Sequence, residues 1–247
     1  MLEGLLISEK RILNSRWALK TMGTFIKRLQ DYEKRLLEEY ASVISNRTTP
    51  IIAIGGFSGT GKDTVARFVQ IYFKRNHGIF LKIIGAGEIV RKIAVESGWE
   101  ERNLDEFMKH IQTTKDHEFA ENIDLKIEQY ALKTALLEGG IFVGRMAPFA
   151  IGTHGTTIWL EVAARVIANR ISHDSNRSEF GMDEKDLIRR IQSRDRTDGE
   201  RLEKIYGISF RDKKQFDLTL RNEGYSKEEL REIVAQLLVS KYPTKEE

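Results

Sequence analysis

The chain has 247 residues, 40% of them hydrophobic and 31% charged; it can bury roughly 70–75% of its unfolded surface and is richer in apolar side chains than disordered chains are. Forty lysines and arginines against 37 aspartates and glutamates leave a net charge of +3. That balance is too even for a general polyanion-binding surface, so nucleic acid is not an expected partner and phosphate chemistry must rest on local basic clusters. Cysteine is absent, which excludes disulfides, thiolate metal sites and a cysteine nucleophile and suits a reducing compartment.

The opening MLEGLLISEKR has a short apolar run followed by charges, without a small-residue cleavage site. No segment approaches the ~20 apolar residues of a membrane span, so a cytoplasmic protein with no membrane partner is expected. From Leu5 to about Ser45 there is no proline, and Met22, Ile26, Leu29, Tyr32, Leu36, Tyr40 and Val43 recur at helical spacing. Residues 1–49 therefore read as a helical extension, one amphipathic helix or a pair broken at Gly23. Its apolar stripe, with Trp17 and Phe25, is expected to pack on the chain's own second domain or, as a homo-oligomer, on a second copy. Asn46-Arg47-Thr48-Thr49-Pro50 ends the helix, because proline cannot continue it.

From residue 50 to 247 apolar runs alternate with helical segments, the pattern of a parallel sheet covered on both faces. Five strands are expected: Ile51 to Gly55, Ile79 to Ile84, Ile141 to Val143, Thr157 to Leu160, and Phe216 to Leu220. Asn76-His77-Gly78 stops the helix before the second strand, and Ser226-Lys227-Glu228-Glu229 is a capping box opening the last helix. The polar stretch from Ile171 to Asp183 interrupts the helical pattern and suits a lid that closes over a site and expels water. Trp159 falls in a buried strand and reads as core, and the histidines lack metal-ligand spacing.

Between the first strand and the helix from Val65 to Arg75 lies Gly56-Phe57-Ser58-Gly59-Thr60-Gly61-Lys62-Asp63-Thr64. A triphosphate needs backbone N–H groups at close range, and Gly56, Gly59 and Gly61 permit that approach without a Cβ in the way. The amides and dipole of the following helix favour the anion, Lys62 can reach the β- and γ-phosphates, and Thr64 can orient Mg2+ or its waters. Farther along, Arg194, Asp198 and Arg201 stand at i, i+4 and i+7 on one helix face. Two guanidinium groups beside a carboxylate make a clamp for phosphate oxygens, although such spacing alone also suits a solvated ion-pair stripe.

The run Gly-Phe-Ser-Gly-Thr-Gly-Lys-Asp-Thr-Val-Ala-Arg over residues 56 to 67 resembles the loop of cytidylate kinases, above all archaeal-type ones. Gly85-Ala86-Gly87-Glu88-Ile89-Val90-Arg91, Gly144-Arg145-Met146-Ala147 and Arg194-Asp195-Arg196-Thr197-Asp198-Gly199-Glu200-Arg201 are similar to three further family stretches, and the likeness covers residues 50 to about 238. It implies a three-layer α/β/α P-loop kinase with a five-stranded parallel sheet, a lid around 171–183, and the helical extension outside it. By resemblance Arg91 and Arg145 hold the acceptor phosphate, Arg145, Arg194 and Arg201 join Lys62 in catalysis, and Asp198 helps bind substrate. The family commonly has an acidic residue before the Gly-Arg pair, where this chain has Val143, and Met146 stands where bacterial relatives carry an aspartate. The implied reaction is ATP-dependent, Mg2+-assisted phosphoryl transfer to a nucleoside monophosphate, CMP or dCMP. Kinase action on another nucleotide-like small molecule, or a nucleotide-binding switch or assembly role with weak chemistry, is the alternative.

Overall fold

The computed structural model describes residues 24–100, 106–107, 117–173, 180–206 and 212–243. The described chain begins with helices α1 (Thr24–Glu39) and α2 (Ala41–Asn46). There follow β1 (Ile51–Gly56), α3 (Lys62–His77), β2 (Ile83–Gly85), α4 (Ala86–Glu96), α5 (His117–Glu138) and β3 (Gly140–Val143). Then come α6 (Ala147–Ile151), β4 (Thr156–Glu161), α7 (Ala164–Ser172), α8 (Glu184–Tyr206), β5 (Leu218–Arg221) and α9 (Lys227–Val239). The five strands form one parallel sheet in the order β2-β3-β1-β4-β5. No described helix is long and apolar enough to cross a membrane.

Side chains alternate along β1, as the two-residue period of a strand requires. Ile52 and Ile54 point into a core shared with Val65, Val69 and Phe73 of α3 and Leu230, Val234 and Leu238 of α9. Ile51 and Ala53 point the other way, toward Ile89 and Ile93 of α4, Ala131 and Ala135 of α5, and Ile151 of α6. With helices on both faces, β1 is buried along its whole length, and its carboxyl end delivers the glycine-rich loop.

Two of the five expected strands are shifted, each for a local reason. The second shrinks to Ile83–Gly85 because the Gln70 amide donates to the Leu81 carbonyl at 2.7 Å, while Leu81 itself is sunk in the core and Phe80 is exposed. The fifth starts at Leu218 because Phe216 stacks on Trp159, ring centroids 4.8 Å apart, and the Asp217 carboxylate accepts from Thr157 N and Oγ1. A side chain thus occupies the place of the next ladder bond. The other three strands agree with expectation to within a residue at either end. Helix α3 is longer than expected, running from Lys62 to a left-handed Gly78 that caps it.

The α1 stripe is taken up within the chain. Phe25, Leu29 and Leu36 are buried against Leu125, Leu132 and Leu136 of α5 and belong to a cluster that reaches Met146, Trp159 and Phe216. His154 and Glu33 pair across the same seam at 2.5 Å. Over Thr24–Glu39, therefore, the stripe is not left for a second copy, the homo-oligomer half of the earlier alternative. The expected break at Gly23 lies outside the described residues. At the other end of the domain, α7 extends through Ser172, and Asp183 Oδ1 accepts from the amides of Lys185 and Asp186 to start α8. The middle of the expected lid, 174–179, lies outside the described residues.

Candidate active site

The loop between β1 and α3 is fixed by bonds from inside and from the segment just past β5. Thr60, almost fully buried, donates from Oγ1 to the Phe57 carbonyl at 2.8 Å. Asn222, just past β5, donates from Nδ2 to the Thr60 carbonyl at 2.8 Å, and Arg170 of α7 donates to the Asn222 carbonyl at 2.8 Å. Gly61 has φ +84°, and a Cβ there would meet Asn222 Nδ2 at 2.5 Å; at Gly59, φ +79°, it would meet Ile167 at 2.6 Å. Both glycines thus allow a left-handed turn and close approach of its braces. Neither Asn222 nor Arg170 was singled out from the sequence; a polar residue at the carboxyl end of a strand was the available signal.

Lys62 opens α3 and donates from Nζ to the carbonyls of Gly56 at 2.9 Å and Phe57 at 2.8 Å. Burial, and then the Arg145 charge, lower its pKa to about 8. Thr64 lies half-buried on the first turn of α3, with Asp63 exposed beside it. A cavity of about 390 Å3 adjoins this turn, bordered by Lys62, Thr64, Arg170, Asn222, Tyr225 and Lys227.

Across the loop, Arg145 donates to Asp198 of α8 at 2.5 Å, both side chains half-buried. Arg194 lies close enough to Lys62 to act on its proton affinity. Arg194 Nε and Nη2 and Asp195 Oδ1 are buried without a hydrogen-bond partner among the described residues. Burial also raises the Asp195 pKa, against the opposing pull of Arg194 and Arg145. Buried guanidinium donors left without partners cost free energy that an anion would recover, so the donor set fits a bound polyphosphate. Asp195 was quoted within a motif but given no role.

The remaining expected residues are less converged. Arg91 is exposed on α4, and of Arg201 only the α8 backbone is among the described features. Val143, at the end of β3, is buried and lines a second cavity with Arg145, Met146, Asp124 and Glu128. Glu128 was not anticipated, although it follows Asp124 by one turn of α5. A further cavity of about 840 Å3 lies between β4 and α8, lined by Phe57 and Thr60 of the loop and by Asp195 of α8.

The model of the cytidylate kinase-like family matches residues 51–224. This chain belongs to that family. The cytidylate kinase of Methanopyrus kandleri is 30% identical over 189 residues, covering 72% of this chain and 88% of that protein. That of Methanocaldococcus jannaschii is 27% identical over 192 residues, covering 76% and 97%. Among solved structures, an uncharacterized protein from Eubacterium ventriosum superposes with TM-score 0.55 at 15% identity, covering 78% of this chain and 99% of that one. Shikimate kinase from Bacteroides thetaiotaomicron gives TM-score 0.51 at 15% identity over 78% and 98%; at such identity these two speak for the fold alone. Membership and fold make the chain a nucleotide-binding, P-loop transferase of the kinase type.

Proposed function

We propose that this enzyme transfers the γ-phosphoryl group of ATP to CMP or dCMP. The observation carrying the reading is the convergence of Lys62, Arg145, Arg194 and Asp198 around one glycine-rich loop, with buried guanidinium donors lacking partners. The donor triphosphate lies along Gly56 to Thr64, its terminal phosphates drawing Lys62 away from the Gly56 and Phe57 carbonyls. Arg145 and Arg91 grip the acceptor phosphate, while Arg194 and Arg201 neutralise charge spreading over the transferred group. An acceptor phosphate oxygen forms the new bond to the γ-phosphorus as the bond to the β–γ bridging oxygen breaks, and ADP leaves.

No general base is required, because a phosphate monoester has its second pKa near ~6 and is already largely dianionic at neutral pH. Mg2+ would be held by phosphate oxygens and Thr64, which lies half-buried on the first turn of α3 and borders the cavity beside the loop. When bound, it would supply charge neutralisation. Of the expected appendage, Thr24–Glu39 packs on the kinase domain through Phe25, Leu29 and Leu36.

A coupled assay of ADP release over a panel of nucleoside monophosphates, with Mg2+ and ATP, tests the reading. The highest turnover is expected with CMP and dCMP; turnover only with a different acceptor would replace the assignment.

A further inference from the structure

The cavity between α4, α5 and the end of β3 has a volume of about 290 Å3. Its walls are mostly apolar, with Ile84, Ile89 and Phe142 among them, and its ionisable groups are Asp124 and Glu128 from α5 and Arg145 from the turn after β3. The lining residues from β2, β3, α4 and α6 carry no titratable side chain. Glu128 is only 8% exposed, and among the described residues no hydrogen bond reaches its carboxyl group. A buried acid facing open space in this way costs stability unless a ligand supplies the missing partner.

We propose that Glu128 and Asp124 read the acceptor's base in this cavity, favouring a pyrimidine with an exocyclic amino group beside an unprotonated ring nitrogen over one with a carbonyl there. The inference rests on the acceptor reading given above and adds the residues that would choose the base. Arg145 lines the cavity, pairs with Asp198 and is close enough to Lys62 to act on its proton affinity, which orients the acceptor with its phosphate at Arg145 and its base toward α5.

Burial, and then the neighbouring Asp124, push the Glu128 pKa up to about 8, so the group is neutral at pH 7. A neutral carboxyl presents one donor and one acceptor side by side. Its O–H donates to the ring nitrogen and its carbonyl oxygen accepts one amino hydrogen. The second amino hydrogen is donated to the Asp124 carboxylate, against which a ring carbonyl would be repelled. Discrimination between the two pyrimidines thus comes from attraction to one edge and repulsion of the other.

Steady-state kinetics with CMP and UMP at saturating ATP, on the full chain and on Glu128→Ala, Glu128→Gln and Asp124→Asn, test the inference. Glu128→Ala raises the KM for CMP about tenfold or more, the loss of one paired donor and acceptor, with the KM for ATP unchanged. Glu128→Gln, whose amide also offers a donor beside an acceptor, recovers most of the CMP affinity lost in Glu128→Ala. The KM for CMP of the unmodified enzyme rises above pH 8 as Glu128 ionises and stays flat in Glu128→Gln. Asp124→Asn narrows the preference for CMP over UMP. An unchanged CMP KM in Glu128→Ala, or the same pH rise in Glu128→Gln, overturns the inference while leaving phosphoryl transfer intact. Should Glu128→Ala fail to fold, the pH profile of Glu128→Gln decides alone. Absence of turnover with every nucleoside monophosphate would overturn the acceptor reading and this inference together.

Discussion

Lys62 holds its ammonium against two loop carbonyls in a place with little water, and this sets the pH behaviour of the site. Its pKa falls from 10.5 to about 8, so between those values the unfolded chain binds a proton that the folded chain does not. Its contribution to stability consequently rises with pH across that window. Phosphate oxygens beside the ammonium reverse the shift, so ATP binding above pH 8 must take up a proton. Calorimetry in buffers of different ionisation enthalpy should show proton uptake and weakening affinity from pH 8 to 9.5; a flat profile would contradict the assigned environment. In the proposed reading Arg194 acts on the transition state more than on ground-state binding. Arg194→Ala should lower kcat on the order of 10³-fold with little change in the KM for ATP, a split that steady-state kinetics measures directly.

At the level of elements, the loop is built between β1 and α3 but braced from β5 and α7. Asn222 makes its bond to Thr60 across 162 positions of sequence. Losing a buried hydrogen bond of this kind costs about 1–3 kcal/mol, so Asn222→Ala should raise the KM for ATP roughly 5- to 100-fold; an unchanged value would mean the loop holds its shape unaided. The helix α1 packs on Leu125, Leu132 and Leu136 of α5, in a cluster that includes Met146 from the wall of the cavity that holds Glu128. Phe25, fully buried in that seam, should cost about 3 kcal/mol or more when changed to alanine, seen as a lowered thermal midpoint. The β1–loop–α3 unit was legible because an apolar run, glycine spacing and an amphipathic helix all point to one local structure. The ends of β2 and β5 were not, since an apolar run cannot tell backbone pairing from replacement of a ladder bond by Gln70 or Asp217. Asn222 and Glu128 escaped for another reason: their meaning depends on which distant segments the fold brings together. Arg194 and Asp198 could be read from helical spacing, whereas the pairing of Asp198 with Arg145 needed the packing of α8 onto the turn after β3.

Across the whole molecule, one parallel sheet sets a polyphosphate cradle at the end of its central strand, with one cavity on the α3 side and another walled by α4 and α5. In the proposed reading, the loop and Arg145 stand between donor and acceptor, as transfer between two bound molecules requires. The 31P spectrum of the purified chain with ATP, Mg2+ and CMP tests that arrangement most directly. The β-phosphate resonance of CDP should grow in step with ADP, and Lys62→Ala should abolish both. Hydrolysis of ATP to free phosphate without CDP, or no consumption of ATP at all, would contradict it.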